Sequence, residues 1–372
     1  MGTQTEHLAF LCLSWSQQHR NYCRHHRVTT HGRTRHHHYP THIGEPIMKK
    51  LLALLLVGTA ATGCASQSEI LTSKEIILVS YDAFTPAEGI FDEFTATYGP
   101  AVKVVTAGDT GSMVSKAILT AGNPEGDVMF GIDNTFLSRA QSGKVLEDYT
   151  PVDEGDVCVN YDKAWFTSRK ITPPTSLEDF VKPQYKNLLS VQNPVNSAPG
   201  FAFLLATIEH FGEGKWQNYW KQLKANGVRI SNDWTSAYTI DFSGSSGKGA
   251  YPLVVSYGTS PAAEVLFAET PPTEAPTGVI EETCFRSTEY VGVLRGTKNT
   301  EMAQNLVDYI LDTKFQESMP TSLFVYPVNK SAALPQVFLK HAVKPTTSKT
   351  LSPDAIEKNR DGWIDTWRSI FN

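Results

Sequence analysis

This chain has little of what covalent or metal chemistry needs. Beyond residue 47 it holds only two histidines, His210 and His341, far apart in the 372-residue sequence. That leaves little material for a Ser-His nucleophile or a zinc site, while carboxylate chemistry stays open. No Gly-x-Ser-x-Gly elbow occurs. Gly244-Ser245-Ser246-Gly247-Lys248-Gly249 lacks the spacing and the hydroxyl of a phosphate loop and reads as a flexible hairpin. The net charge of −5 argues against a nucleic-acid partner. Beyond residue 63 no run is apolar enough to span a bilayer. No catalytic residue, metal site or cofactor is expected.

What is present begins with an export signal. Lys49 and Lys50 form a positive start, Leu51 to Val57 an apolar run too short for a permanent span, and Ala61-Thr62-Gly63-Cys64 a small-residue end. This end resembles the lipobox of bacterial lipoproteins, which makes Cys64 a lipidation site; the other reading is an ordinary signal peptide with an incidental cysteine. Such a signal works at an N-terminus, so residues 1–47 are expected to be a non-native, disordered upstream extension. Nine of the eleven histidines lie there, including His36-His37-His38, and the metal reading they invite falls with the extension, as do Cys12 and Cys23. Residues 48–63 are then the signal peptide and 64–73 a polar tether, the only link to a membrane. Two cysteines remain, Cys158 and Cys284. In an oxidising compartment a bridge between them is favoured over two buried thiols, since both sit in strand-like text.

The body alternates strand and helix patterns. Strands are expected at Glu75–Tyr81, Ala101–Ala107 and Asp127–Gly131, with helices at Pro86–Tyr98 and Met113–Thr120, the rhythm of a parallel sheet. Further strands read at Gly155–Tyr161, Leu188–Val191, Pro252–Tyr257 and Phe285–Leu294. Helices read at Gly200–Phe211, Trp216–Ala225, Pro261–Phe267, Thr300–Leu311 and Ser352–Phe371. Thr175 to Glu178 has capping-box spacing, and Glu269–Gly278 reads as a surface loop. His210 reads as a helix C-cap, and Trp363 with Trp367 as a packing stripe. Lobe 1 is expected over 74–158, lobe 2 over 159–285, and a return to lobe 1 with C-terminal helices over 286–372.

Three strand-to-helix junctions carry small polar residues: Gly108-Asp109-Thr110-Gly111-Ser112, Asn196-Ser197-Ala198-Pro199-Gly200 and Tyr257-Gly258-Thr259-Ser260-Pro261. Each alone is best read as simple capping, with Ser260 as an N-cap and Pro261 at the first helical position. Together in an α/β chain they point to a shared cleft at strand ends. Trp234, set in Asn232-Asp233-Trp234-Thr235, is an indole in polar loop text, suited to a flat or cationic ligand.

These residues resemble the substrate-binding proteins of bacterial ABC transporters, most closely the thiamine-binding subfamily. The resemblance runs from about Ile76 to Trp367 and rests on Tyr81-Asp82-Ala83-Phe84, Gly131-Ile132-Asp133-Asn134, Tyr161-Asp162-Lys163, Ser197 to Gly200, Trp234 to Tyr238, Ser256 to Pro261, and Pro320-Thr321 with Tyr326-Pro327-Val328. It implies an α/β, two-lobed periplasmic-binding-protein-like (type 2) fold with a hinged ligand cleft, an extracytoplasmic location, a permease and an ATPase as partners, and a monomer. It implies ligand contacts at Asp109, Thr110, Ser197, Ala198, Trp234, Tyr257, Gly258, Thr259, Ser260 and Pro261, with thiamine or its phosphates as ligand. Ala198 stands where relatives can carry a hydroxyl, Phe324 where a Trp can occur, and Asp241–Gly249 looks longer than in relatives. A binding protein for iron or a polyamine remains as an alternative. So does a thiaminase-like enzyme using a cysteine. Iron sites commonly use adjacent tyrosines, and no Tyr-Tyr pair occurs; Asp109 and Asp133 alone are few carboxylates for a polyamine.

Overall fold

The computed structural model describes residues 74–245 and 249–372. The leader, signal, Cys64 and tether lie outside the described residues, as do residues 246–248 of the expected hairpin. Among the described residues nine strands form one sheet: β1 (Glu75–Ser80), β2 (Ala101–Thr106), β3 (Val128–Asp133), β4 (Leu146–Asp162), β5 (Leu189–Gln192), β6 (Arg229–Ser231), β7 (Leu253–Tyr257), β8 (Thr277–Leu294) and β9 (Tyr326–Pro327). Their order is β2-β1-β3-β8-β4-β7-β5-β6, with β9 on β4. β1 pairs in parallel with β2 and β3, and β5 with β6 and β7. Two parallel groups are therefore joined by the antiparallel pair β4 and β8.

Those two strands run to 17 and 18 residues, beyond the usual strand length. They stay paired by shifting register at three places, one of them at Pro151, which cannot donate to the ladder. β8 meets β3 through Glu289 to Val293, and β4 meets β7 through Val157 to Tyr161. β8 starts at Thr277, eight residues before the expected strand, and takes the end of the expected loop with it. The expected lobe boundaries, 158/159 and 285/286, both fall inside these shared strands.

Cys158 and Cys284 form a disulfide across the two strands, with Cα atoms 4.2 Å apart. It lies at the register shift where Val157 faces Phe285 and Val159 faces Ile280. Val159 N–H donates instead to the Thr283 hydroxyl at 2.8 Å. No free cysteine remains among the described residues, which removes the thiol that a thiaminase-like reaction would need.

The helices are α1 (Asp92–Tyr98), α2 (Thr110–Leu119), α3 (Leu137–Ser142), α4 (Lys163–Arg169), α5 (Ala198–Phe211), α6 (Trp216–Ala225), α7 (Ser260–Leu266), α8 (Thr300–Leu311), α9 (Thr313–Ser322), α10 (Gln336–His341) and α11 (Pro353–Phe371). α1 begins six residues later than expected, because Gly89 sits at φ +69°, outside the helical region. The capping box is present one residue on: Ser176 and Asp179 exchange bonds, and the element they start is a five-residue 3₁₀ helix. His210 does not cap its helix; its two ring nitrogens face Glu178 at 2.7 Å and Glu282 at 3.2 Å. α5 is the central helix, with an unbroken buried run from Ala198 to Ile208. Trp363 and Trp367 are buried, and Trp367 meets Trp220 of α6 edge-on, so the stripe is packing. One core lies under α1, α8 and α9 around Leu78, Phe94, Phe130 and Val291, and a larger one around α5, α6 and α11.

Candidate functional site

Two junctions meet at the start of α2. Asp109 is its N-cap: one carboxylate oxygen accepts from Thr110 N–H at 2.8 Å and the other from Trp234 N–H at 3.3 Å. Gly111 N–H donates to the Asn196 carbonyl at 2.8 Å, just before α5. A Cβ on Gly111 would lie 2.6 Å from that oxygen, so glycine permits the approach. Burial raises the Asp109 carboxyl, and nearby donors, Ser197 first, partly offset this. Ser197 Oγ is fully buried and makes no hydrogen bond of full geometry. The Thr110 hydroxyl is already used, donating to the Gly131 carbonyl at 3.3 Å. Ala198 opens α5 and is buried.

Trp234 is not in a loop. It starts a short helical turn that widens into a π-helix over Ser236–Asp241, with Asp233 accepting from Ser236 N–H at 2.7 Å. π turns are rare and recur at functional sites. Trp234 and Tyr238 thereby stack at 4.9 Å and 11°. The indole N–H donates to Ser256 Oγ at 3.0 Å, and the Tyr238 hydroxyl donates to Glu264 at 2.6 Å. Burial pushes the Glu264 carboxyl up to about 7. The indole is thus locked in plane and tilt, and Tyr238, a partner the sequence reading missed, backs one face.

The third junction departs from expectation at its cap. α7 begins at Ser260, with Thr259 at the N-cap position. Ser260 Oγ reaches back to accept from Tyr257 N–H at 3.2 Å and lies 2.9 Å from Ser256 Oγ. Thr259 Oγ1 is buried without a partner. Gly258 has both backbone groups engaged, N–H to the Asp156 carbonyl and C=O from Val343 N–H, each at 2.8 Å. A Cβ there would meet the Val343 oxygen at 2.5 Å. Pro261 is buried within the first turn of the helix.

Beside these junctions lies a row of acids that the sequence reading counted only in part. Asp133 on β3, Glu289 on β8 and Asp153 on β4 are register partners across three adjacent strands. Partners in register share a sheet face with Cβ atoms about 5 Å apart, and like charges there repel. All three are at least nine-tenths buried. Register shifts in β3 and β4 immediately precede the row. Burial pushes the Asp133 carboxyl up to about 7, opposed by Thr135, whose hydroxyl donates to both its oxygens at 2.9 Å. Burial also raises Asp153 and Glu289 well above the carboxylate range, and their neighbours' charges add to this. The Tyr81 and Tyr257 phenols are raised by burial first and then by Glu289, which places both rings beside the row. Gly131, at φ +91°, has no room for a Cβ, because the Tyr81 ring would lie 2.2 Å from it.

Phe324 departs from normal backbone, at φ +58°, and its ring meets Phe267 edge-on at 5.3 Å. Phe267 follows α7 and Phe324 follows α9, so elements distant in sequence meet there.

Residues 130–359 match the family model described as bacterial extracellular solute-binding protein. The thiamine-binding periplasmic protein of Salmonella typhimurium is 27% identical over 345 residues, covering 87% of this chain and 98% of its own. That of Escherichia coli is 26% identical over 344 residues, with 87% and 98% covered. A solved structure described as periplasmic thiamin binding protein superposes with a TM-score of 0.71 at 24% identity, covering 80% of this chain and 96% of its own. The fold is the mixed α/β, type 2 architecture of periplasmic binding proteins, as the resemblance led one to expect. The family match covers more than half of the chain, so this chain belongs to the bacterial extracellular solute-binding proteins, a family that binds solutes and does not transform them.

Proposed function

We propose that the solute is thiamine or one of its phosphates, bound among the three helix-start junctions and handed to an ABC permease and its ATPase. The observation that carries this reading is the indole of Trp234. It is stacked on Tyr238, pinned to Ser256, and tied through its backbone to the Asp109 cap. A fixed aromatic plane beside two buried hydroxyls, Thr259 without a partner and Ser197 turned to Asp109, suits a flat heteroaromatic with polar substituents. The thiamine-binding names of the Salmonella and Escherichia relatives favour this ligand among flat heteroaromatics. Asp109, Thr110, Ala198, Tyr257, Ser260 and Pro261 complete the proposed contact set, and Gly258 shapes the junction without offering a free backbone group.

In this reading residues 74–158 and 286–372 form one lobe and 159–285 the other, hinged where β4 and β8 cross. Ligand contacts on both sides favour the closed form, and the permease recognises that form. A lipid on Cys64 keeps the protein at the membrane after the signal is removed. The acid row favours a second reading, another organic cation such as a polyamine, because it supplies carboxylates that Asp109 and Asp133 alone did not.

The test is a titration of the protein with thiamine, followed by tryptophan fluorescence, alongside Trp234→Ala and Trp234→Phe. Saturable quenching is expected in the wild type. It should weaken about tenfold or more in Trp234→Ala and less in Trp234→Phe. A wild type that binds neither thiamine nor its phosphates retires the assignment.

A further inference from the structure

Among the described residues no Lys, Arg or His makes an ion pair with Asp133, Asp153 or Glu289. Asp153 Oδ2 and Glu289 Oε2 are buried and make no hydrogen bond of full geometry, with the Tyr81 hydroxyl beside Glu289 and the two acids beside each other. Glu289 Oε2 lies 3.4 Å from the point where a Gly131 Cβ would stand, a place the Tyr81 ring occupies, so this oxygen lies against that ring. Buried polar atoms are nearly always satisfied, and an unsatisfied buried acid is costly. The other charged and titratable groups around the row are Asp109, Glu154, Tyr81 and Tyr257, none of them cationic, and Arg360, whose charge is felt by Asp133. Arg360 lies instead over the Phe136 and Phe201 rings, at 4.3 and 4.5 Å.

We infer that Glu289 and Asp153, with Asp133 beside them and Tyr81 and Tyr257 alongside, form the subsite that takes the positive charge of an organic cation. In the thiamine reading, on which this rests for the identity of the ligand, that charge is the thiazolium. Asp109 cannot serve this way while both its oxygens are occupied as cap and as the link to Trp234. The row reads charge and the tyrosines supply π faces, so the subsite discriminates a cation from a neutral ring of the same size.

The test compares Glu289→Gln and Asp153→Asn with wild type by calorimetric titration, using thiamine, its neutral aminopyrimidine half, and spermidine. Either variant should weaken thiamine binding about thirtyfold and change binding of the neutral half by no more than about threefold. Melting curves are to establish that each variant is folded, and two separate substitutions guard against one that is not. A wild type that binds spermidine but not thiamine, with spermidine lost in both variants, ends the thiamine reading and keeps the subsite. The inference is overturned if both variants bind the cation as tightly as wild type, if cation and neutral ligand weaken equally, or if the wild type binds no cation.

Discussion

Two charged rungs lie close together on the same pair of strands. Asp156 of β4 faces Arg286 of β8 in register, and the two form an ion pair at 2.7 Å. Asp156 also accepts from the Ser348 hydroxyl. Three residues away on each strand, Asp153 faces Glu289, and both are acids. The first rung follows the ordinary rule for buried charge, which is to pair it. The second breaks that rule in the same strands, with both of its partners buried. A fold that can build the first has no structural need of the second, so its cost is best explained by what binds there.

The strands themselves can be perturbed first, since both rungs depend on them. Replacing Cys158 and Cys284 by serine removes a crosslink spanning 126 residues. In the loop-entropy model this lowers unfolding free energy by about 4–5 kcal/mol, read from denaturant melts of oxidised and mutant protein. Next comes Arg286→Met, which strands Asp156 while Ser348 still supports it. With the Arg286 side chain 29% exposed, the expected loss is about 2 kcal/mol, below the fully buried range. Glu289→Gln should have the opposite sign, raising the stability of ligand-free protein by about 1 kcal/mol at neutral pH, because an amide needs no proton taken up on folding to stay neutral in the row. Equal losses for Arg286→Met and Glu289→Gln would erase the distinction between the rungs.

A further expected effect is a slope with pH. The folded-state pKa of Asp133 is raised, from an ordinary 3.8 to about 7. The folded protein therefore holds this proton more tightly than the unfolded chain does. Stability contributed this way is full at low pH and declines as pH rises through that window, by at most about 1.4 kcal/mol per pH unit for one carboxyl. Asp153, Glu289 and Asp109 act in the same direction, and so does Glu264, at about 7 beneath Tyr238. The melting temperature of ligand-free protein should fall between roughly pH 4 and 7, and Asp133→Asn should flatten the decline. A rise over that range would mean that paired acids dominate.

Much of the fold was legible because its signals are local. The apolar runs of β1 and β3, the acidic N-cap before α2 and the Trp363–Trp367 spacing all lie within a few residues. The long strands were harder: Pro151 and the polar text after Glu269 break the strand pattern, and only pairing between distant segments restores it. The site divided the same way. Asp109, Ser197 and Ser260 were read from strand-to-helix junctions, and Trp234 from the polar text around it. The Tyr238 stack depends on a π turn that periodicity does not announce. The acid row depends on the register of three strands, and residues 133, 153 and 289 carry no mark of that register. One signal was available: Asp153 and Glu289 are acids inside otherwise strand-like text, Pro151-Val152-Asp153 and Glu289-Tyr290-Val291.

The most direct test of the whole account is a crystal structure of the protein grown with thiamine. The account predicts the aminopyrimidine against the Trp234 indole and the thiazolium against Glu289 and Asp153, between Tyr81 and Tyr257. Thiamine bound with its thiazolium away from the row, or no thiamine in the cleft at saturating concentration, would contradict it.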